Sequence, residues 1–192
     1  MYLQQGRSRL RMLILSGMFA AITAVLAQIE IPLPLVPISG QTLAVGLTAT
    51  ILGSRFGMVA MLCYIALGAV GLPVFAEAKS GVHVLVGPTG GYIFGFIVAA
   101  YITGLILERT KFNLTMALVA NIVGMIITLA IGATQLKFVL GLSWPEAMAG
   151  GVYPFIIVGL IKAFLASWIG IKVRNRLIQA NLMENQIQKA AV

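Results

Sequence analysis

Gly150 to Ile171 reads GGVYPFIIVGLIKAFLASWIGI, and Lys162 is its only charged side chain. A run of this length and apolarity is what a membrane-spanning helix requires. At about 1.5 Å per residue, Lys162 falls roughly 15 Å from either end, near the bilayer midplane. An ammonium at that depth costs several kcal/mol unless something satisfies it. Snorkelling carries it only about 6 Å, which is too little from the midplane.

The rest of the chain agrees with a membrane setting. Its 192 residues are 60% hydrophobic and 9% charged, whereas soluble domains run near a quarter charged. The apolar segments are of helix length and lack the short alternating runs of an outer-membrane barrel. Three arginines precede a long first span with no short apolar region ending at a cleavage site, so the N-terminus does not read as a signal peptide. Net charge is +8. The basic residues fall between and beside apolar spans, as membrane topology requires, so nucleic acid is not an expected partner. The one cysteine, Cys63, lies inside a span, which excludes a disulfide framework and a cysteine metal cluster.

The fold class expected is all-α: a six-transmembrane-helix bundle forming one membrane domain over 1–192. The spans are 12–29, 41–52, 56–72, 90–107, 113–140 and 152–173. Arg7, Arg9, Arg11, Arg55, Arg109, Lys111, Lys172, Arg174, Arg176 and Lys189 then share one side, against Lys79 and Lys137 on the other. The positive-inside rule puts both termini in the cytoplasm. Connections on that side are tight, such as GSRFG and ERTKFN. The outward segments 30–40, 73–89 and 141–151 are longer and, with their edges, hold all seven prolines. Proline favours shaped turns. Function is therefore expected on the outer face, with these segments facing a ligand.

Several groups there are candidates for binding. Pro73–Tyr92 holds Glu77, Lys79 and His83, then GPTGGY at the entry to the fourth span. Gly90 and Gly91 let backbone approach a ligand closely, and Thr89 is a candidate N-cap. No Lys-Ser/Thr pair follows the glycines, so this is not a nucleotide P-loop. Gln41 and Thr42 open the second span with donors and acceptors, or serve as caps. Tyr153 and Trp144 read first as interfacial anchors. Asn121 reads as a helix–helix hydrogen bond. His83 is the only histidine, and no matching ligands for a metal accompany it.

Lys162 resists a purely structural reading. The chain has no aspartate, and its five glutamates, Glu30, Glu77, Glu108, Glu146 and Glu184, lie outside every span interior. Either an outer segment dips inward with Glu77, or the counter-ion is an anionic ligand. Val158 and Gly159, one turn away, leave room beside it. The first span carries a separate signal, small residues Gly17 and Ala21, Ala20 and Ala24 at four-residue spacing. Such stripes let helices pack closely, within the bundle or against another membrane subunit.

Together these residues resemble the BioY family, the biotin-binding S-components of energy-coupling-factor (ECF) transporters. The likeness spans nearly the whole chain. It rests on GPTGGY at Gly87–Tyr92 with Gly95-Phe96, and on the Pro-rich segment leading into Gln41-Thr42-Leu43-Ala44-Val45. Leu72-Pro73-Val74-Phe75-Ala76 and the segment around Pro154, Phe155 and Lys162-Ala163 complete it. The resemblance implies biotin bound in an outward-facing pocket, with Lys162 or the GPTGG amides meeting its carboxylate. Gln41, Thr42, Thr89 and Tyr153 would meet the ureido group, and Val84, Leu85, Tyr92 and Val158 would form apolar walls. It further implies a coupling membrane subunit and two ATPases, docked partly through Ala20 and Ala24, in a prokaryotic plasma membrane. No cofactor is implied. One departure stands out: relatives tend to carry an aspartate three residues before the lysine, where this chain has Gly159.

Two other classes compete. A proton-coupled secondary transporter would act alone, but six spans without an internal repeat argue against it. An intramembrane enzyme would need a nucleophile–base pair or metal, and none is visible.

Overall fold

The computed structural model describes residues 2–183, with side chains from residue 9 onward. Glu184 and Lys189 of the charge census, and the Arg7 side chain, lie outside what is described. The chain is predominantly helical. In order come α1 (Tyr2–Ala27), β1 (Glu30–Ile31), β2 (Ile38–Ser39), α2 (Gln41–Leu52) and α3 (Ser54–Ala69). A 3-10 turn at Ala76–Ala78 precedes α4 (Val82–Val86), α5 (Gly90–Arg109), α6 (Leu114–Leu140), α7 (Trp144–Gly151) and α8 (Tyr153–Gln179).

Among the described residues, four helical stretches are long and apolar enough to cross a membrane, those of α1, α5, α6 and α8, while α2 and α3 are shorter apolar helices. As a helix, α2 has the limits expected for the 41–52 segment. The first and last run further than their apolar cores, to Tyr2 and Gln179, because a helix stops at a cap and not where apolarity ends.

Glycine sets how closely the helices approach. α5 and α6 pack face to face because Gly91 and Gly95 of α5 lie against Ile131, Gly132 and Thr128 of α6. The Tyr92 ring fills the space over Gly132. α2 and α8 meet where Gly46 faces Ala166 and Gly170 faces Thr50. Small-residue faces of this kind are the usual route to close contact in lipid. Between α2 and α3 the chain reverses at Gly53, whose φ of 81° suits glycine.

The two ends of the bundle differ. At the tight-turn end, the Glu108 carboxylate accepts from Ser54 N at 2.8 Å and Ser54 Oγ at 2.6 Å, capping α3 from α5. Arg174, counted among the basic residues that follow the last span, lies within α8 and is 4% exposed. Its Nη1 donates to Ile51 O at the end of α2, and its guanidinium stacks 3.6 Å from the Phe112 ring centroid. Negative charge at a helix start and positive charge at a helix end both suit the helix dipoles.

At the opposite end the three segments expected as loops are themselves structured. β1 and β2 pair antiparallel, Glu30 with Ser39 and Ile31 with Ile38. The 73–89 segment contains the 3-10 turn and α4. The 141–151 segment contains α7, started by a capping box between Ser143 and Glu146 with Pro145 in the first turn. That S-x-x-E signature was present in the sequence and marks a helix where a loop was expected.

Candidate functional site

Beneath these structured segments lies a cavity of about 1100 Å³, its mouth included. It is lined by the β1–β2 hairpin, by the 75–79 turn, where Glu77 and Lys79 are exposed at its rim, and by α2, α5, α6 and α8.

Lys162 lines it, and its charge is held by neutral groups. Nζ donates to Ser39 O at 2.6 Å and to Thr42 Oγ1 at 3.3 Å. The hairpin delivers the Ser39 carbonyl: Gly40 N donates to Ile29 O at 2.8 Å, and Ser39 pairs with Glu30. An ammonium has three N–H donors, so one remains for another acceptor. Glu77 does not supply it. Among the described residues the Glu77 carboxylate pairs with Lys79, and that is the only ion pair. Both line the same cavity as Lys162, and neither is ion-paired with it among the described residues.

Gln41 and Thr42 face the same space from α2. Neither caps the helix, whose N-cap is Gly40. Gln41 is largely committed already: Oε1 accepts from Ser39 Oγ at 2.7 Å, and Nε2 donates to Tyr64 OH at 2.6 Å. Tyr64 OH in turn donates to Val74 O at 2.9 Å, so this chain ties α2 and α3 to the 73–89 segment. Thr89 lines the cavity without making a side-chain cap bond. Tyr92 presents its ring, tilted 34° against Phe155 at 6.2 Å, while its hydroxyl donates to Gly151 O at 2.7 Å. Val84 and Val158 supply apolar wall.

Gly159 also lines the cavity. The Met125 thioether sits over it, where a Cβ would otherwise be. The position at which relatives are expected to carry a carboxylate is thus covered by an apolar, adaptable side chain.

Five expected residues do not reach the cavity. His83 is exposed on α4, and Tyr153 is 60% exposed at the start of α8. Leu85 is buried, but its carbonyl accepts from Gln135 Nε2 at 2.8 Å and it forms no part of the lining. Gly90 and Gly91 are used for packing: a Cβ on either would strike the Gln135 side chain of α6, and on Gly90 also the Leu85 carbonyl. Glycine at a helix start permits either backbone–ligand or helix–helix approach, and here the neighbouring helix occupies the space.

The docking stripe is divided by the turn of the helix. Ala20 is fully buried and Ala24 packs partly buried against the core, so the pair holds α1 to the bundle. Gly17 and Ala21 are exposed, and nothing lies within 4 Å of a Cβ built on Gly17. Any partner that meets this stripe meets the second pair.

Sequence reasoning passed over Ser39, whose contribution is a backbone carbonyl, and Thr128. Asn121 is a helix–helix link, with Nδ2 2.9 Å from Thr50 Oγ1 and 3.0 Å from Ser167 Oγ, yet it also reaches the cavity floor.

Long apolar helices around a small-molecule cavity, capped by structured segments at one end only, define an integral membrane binding protein. The BioY family model matches residues 3–179. The chain is 40% identical over 174 residues to the biotin transporter BioY2 of Lactococcus lactis, covering 91% of this chain and 96% of the relative. It is 41% identical over 165 residues to the biotin transporter BioY of Thermotoga maritima, covering 86% and 96%. The crystal structure of the S-component for biotin from an ECF-type ABC transporter superposes with a TM-score of 0.82 at 25% identity, over 88% of this chain and 93% of that one. The chain belongs to the BioY family. It is a transporter-family protein and not an enzyme.

Proposed function

We propose that this chain is the biotin-binding S-component of an ECF transporter, and that Lys162 receives the biotin carboxylate. The observation that carries this is the state of Lys162: an ammonium lining a cavity among apolar helices, hydrogen-bonded among the described residues only to a carbonyl and a hydroxyl. Buried charges are ordinarily paired, and an anionic ligand completes the set. Thr42, Thr89 and Thr128 offer polar contacts for a ureido group, beside Gln41, whose side chain is already bonded to Ser39 and Tyr64, while Val84, Val158 and the Tyr92 and Phe155 rings supply apolar walls. Glu77 and Lys79 stand at the entrance.

The proposal includes six spans in a single membrane domain, with α2 and α3 as the short pair, and both termini cytoplasmic in a prokaryotic plasma membrane. The basic residues at the tight-turn end support that orientation, which turns the cavity mouth outward. No Walker motif occurs in the chain, so ATP is used elsewhere. A membrane coupling subunit and two ATPases are the partners proposed, with Gly17 and Ala21 in the contact.

Calorimetric titration of detergent-solubilised protein with biotin tests the reading. Saturable binding to the natural chain, at least tenfold weaker in Lys162→Ala, is expected. Equal affinity in the two proteins would remove Lys162 from the site, and no binding by either would remove biotin.

A further inference from the structure

The turn at the cavity rim is held in an unfavourable backbone conformation by Gln28, just after α1, and Glu30 of β1. Glu77 (φ 58°, ψ 31°) and Ala78 (φ 52°) are consecutive non-glycine residues in the left-handed region. L residues with a Cβ visit that region rarely, and usually singly. Three hydrogen bonds from two side chains secure it. Glu30 Oε2 accepts from Glu77 N at 3.0 Å, Gln28 Oε1 accepts from Ala78 N at 3.1 Å, and Gln28 Nε2 donates to Phe75 O at 3.0 Å. The turn closes on itself through Phe75 N to Lys79 O at 3.0 Å.

One side of this segment is anchored firmly. Phe75 is 1% exposed and packs edge-on to Tyr64, with ring centroids 5.6 Å apart. Beyond that anchor the backbone of Glu77 and Ala78 is exposed, and its hydrogen bonds compete with water. The strain of two left-handed residues and the gain from three hydrogen bonds, two of them exposed and one part-buried, are of the same order. The turn is therefore poised, and it lines the cavity through Phe75, Ala76, Glu77 and Lys79.

We infer that Gln28 and Glu30 form a latch: they hold the 75–79 turn across the cavity mouth against its own backbone strain, and so set the rate at which ligand exchanges. They act through the turn and touch no ligand, so they are positioning residues. Glu30 also pairs with Ser39, the residue whose carbonyl holds Lys162. The latch thus joins both walls of the mouth to the end of α1.

The consequence for ligand exchange rests on the biotin reading, and the latch itself does not. Two measurements separate them. The first is amide hydrogen exchange of the 75–79 segment in ligand-free protein. Gln28→Ala should speed exchange of the Ala78 amide at least tenfold, Glu30→Ala should do the same for Glu77, and Glu30→Gln, which keeps an acceptor, should change little. Adding Ala78→Gly to Gln28→Ala removes strain from the closed turn and should restore much of the protection; a merely destabilised fold would not recover in this way. The second is the dissociation rate of radiolabelled biotin, expected to rise at least fivefold in Gln28→Ala and to fall back in the double variant. Unchanged exchange in both alanine variants, or no rescue by Ala78→Gly, overturns the latch. If exchange behaves as stated but biotin does not bind, the ligand assignment fails and the latch stands.

Discussion

Helix α8 carries two cations inside the bundle, Lys162 and Arg174, about 18 Å apart along its axis, and their surroundings are opposites. Arg174 is closed in: Ile51 O accepts from it, the Phe112 ring stacks on it, and the Glu108 carboxylate caps the next helix alongside. Lys162 has a carbonyl, a hydroxyl and an open cavity. Residue type follows from this difference. A planar guanidinium suits a site that uses its donors in fixed directions, and a compact ammonium suits one that leaves a donor free. One cation closes the tight-turn end of the bundle; the other, with a donor left free, is the one proposed to receive a ligand at the elaborate end.

The sharpest way to break that contrast is to remove each cation in turn and follow stability and binding separately. Arg174→Met leaves the Ile51 carbonyl without its donor and should cost about 2 kcal/mol in thermal unfolding of the detergent-solubilised chain. Biotin affinity of the folded fraction should stay within threefold. Lys162→Met should show the reverse, with a smaller stability loss than Arg174→Met because Ser39 lines the cavity, where water can reach its freed carbonyl, and affinity at least tenfold lower, about 1.4 kcal/mol. A replaced charge that had no carboxylate partner leaves no buried ion behind. If Lys162→Met unfolds as readily as Arg174→Met, the two cations are structural alike.

A smaller effect belongs to the elaborate end. The Ser143 side chain and backbone hold the Glu146 carboxyl below the usual carboxylate range. A lowered pKa means the capping contribution is present above the unfolded-state value and fades as pH falls through the folded one. Amide protection in α7 should drop on acidification into and below the carboxylate range. Ser143→Ala should lower that protection at neutral pH and flatten its pH dependence, read by hydrogen exchange. An unaltered pH profile in the variant would show that the capping box does not hold α7.

Lys162 was legible in the sequence because a lone charge in hydrocarbon needs only counting to be noticed. The residues that hold it were not, since Ser39 acts through a carbonyl that every residue has. Arg174 was counted with the cytoplasmic flank because sequence shows where basic residues cluster and not how far a helix runs before it ends. The α1 stripe shows a further limit. A helix in lipid is apolar all round, so no polar face fixes its rotation. Sequence found four small residues and had no means of separating Ala20, which faces inward, from Gly17, which faces out. Gly90 and Gly91 failed for a related reason, because close approach by a ligand and by α6 ask for the same residue.

The central claim is that Lys162 awaits a carboxylate, and a cycle between protein and ligand tests it most directly. Biotin and biotin methyl ester, which lacks the charge, are titrated calorimetrically into the natural chain and into Lys162→Met. The prediction is that esterification weakens binding at least tenfold in the natural chain and less than threefold in Lys162→Met. An equal loss in both proteins would place the carboxylate elsewhere and leave Lys162 without the role assigned to it.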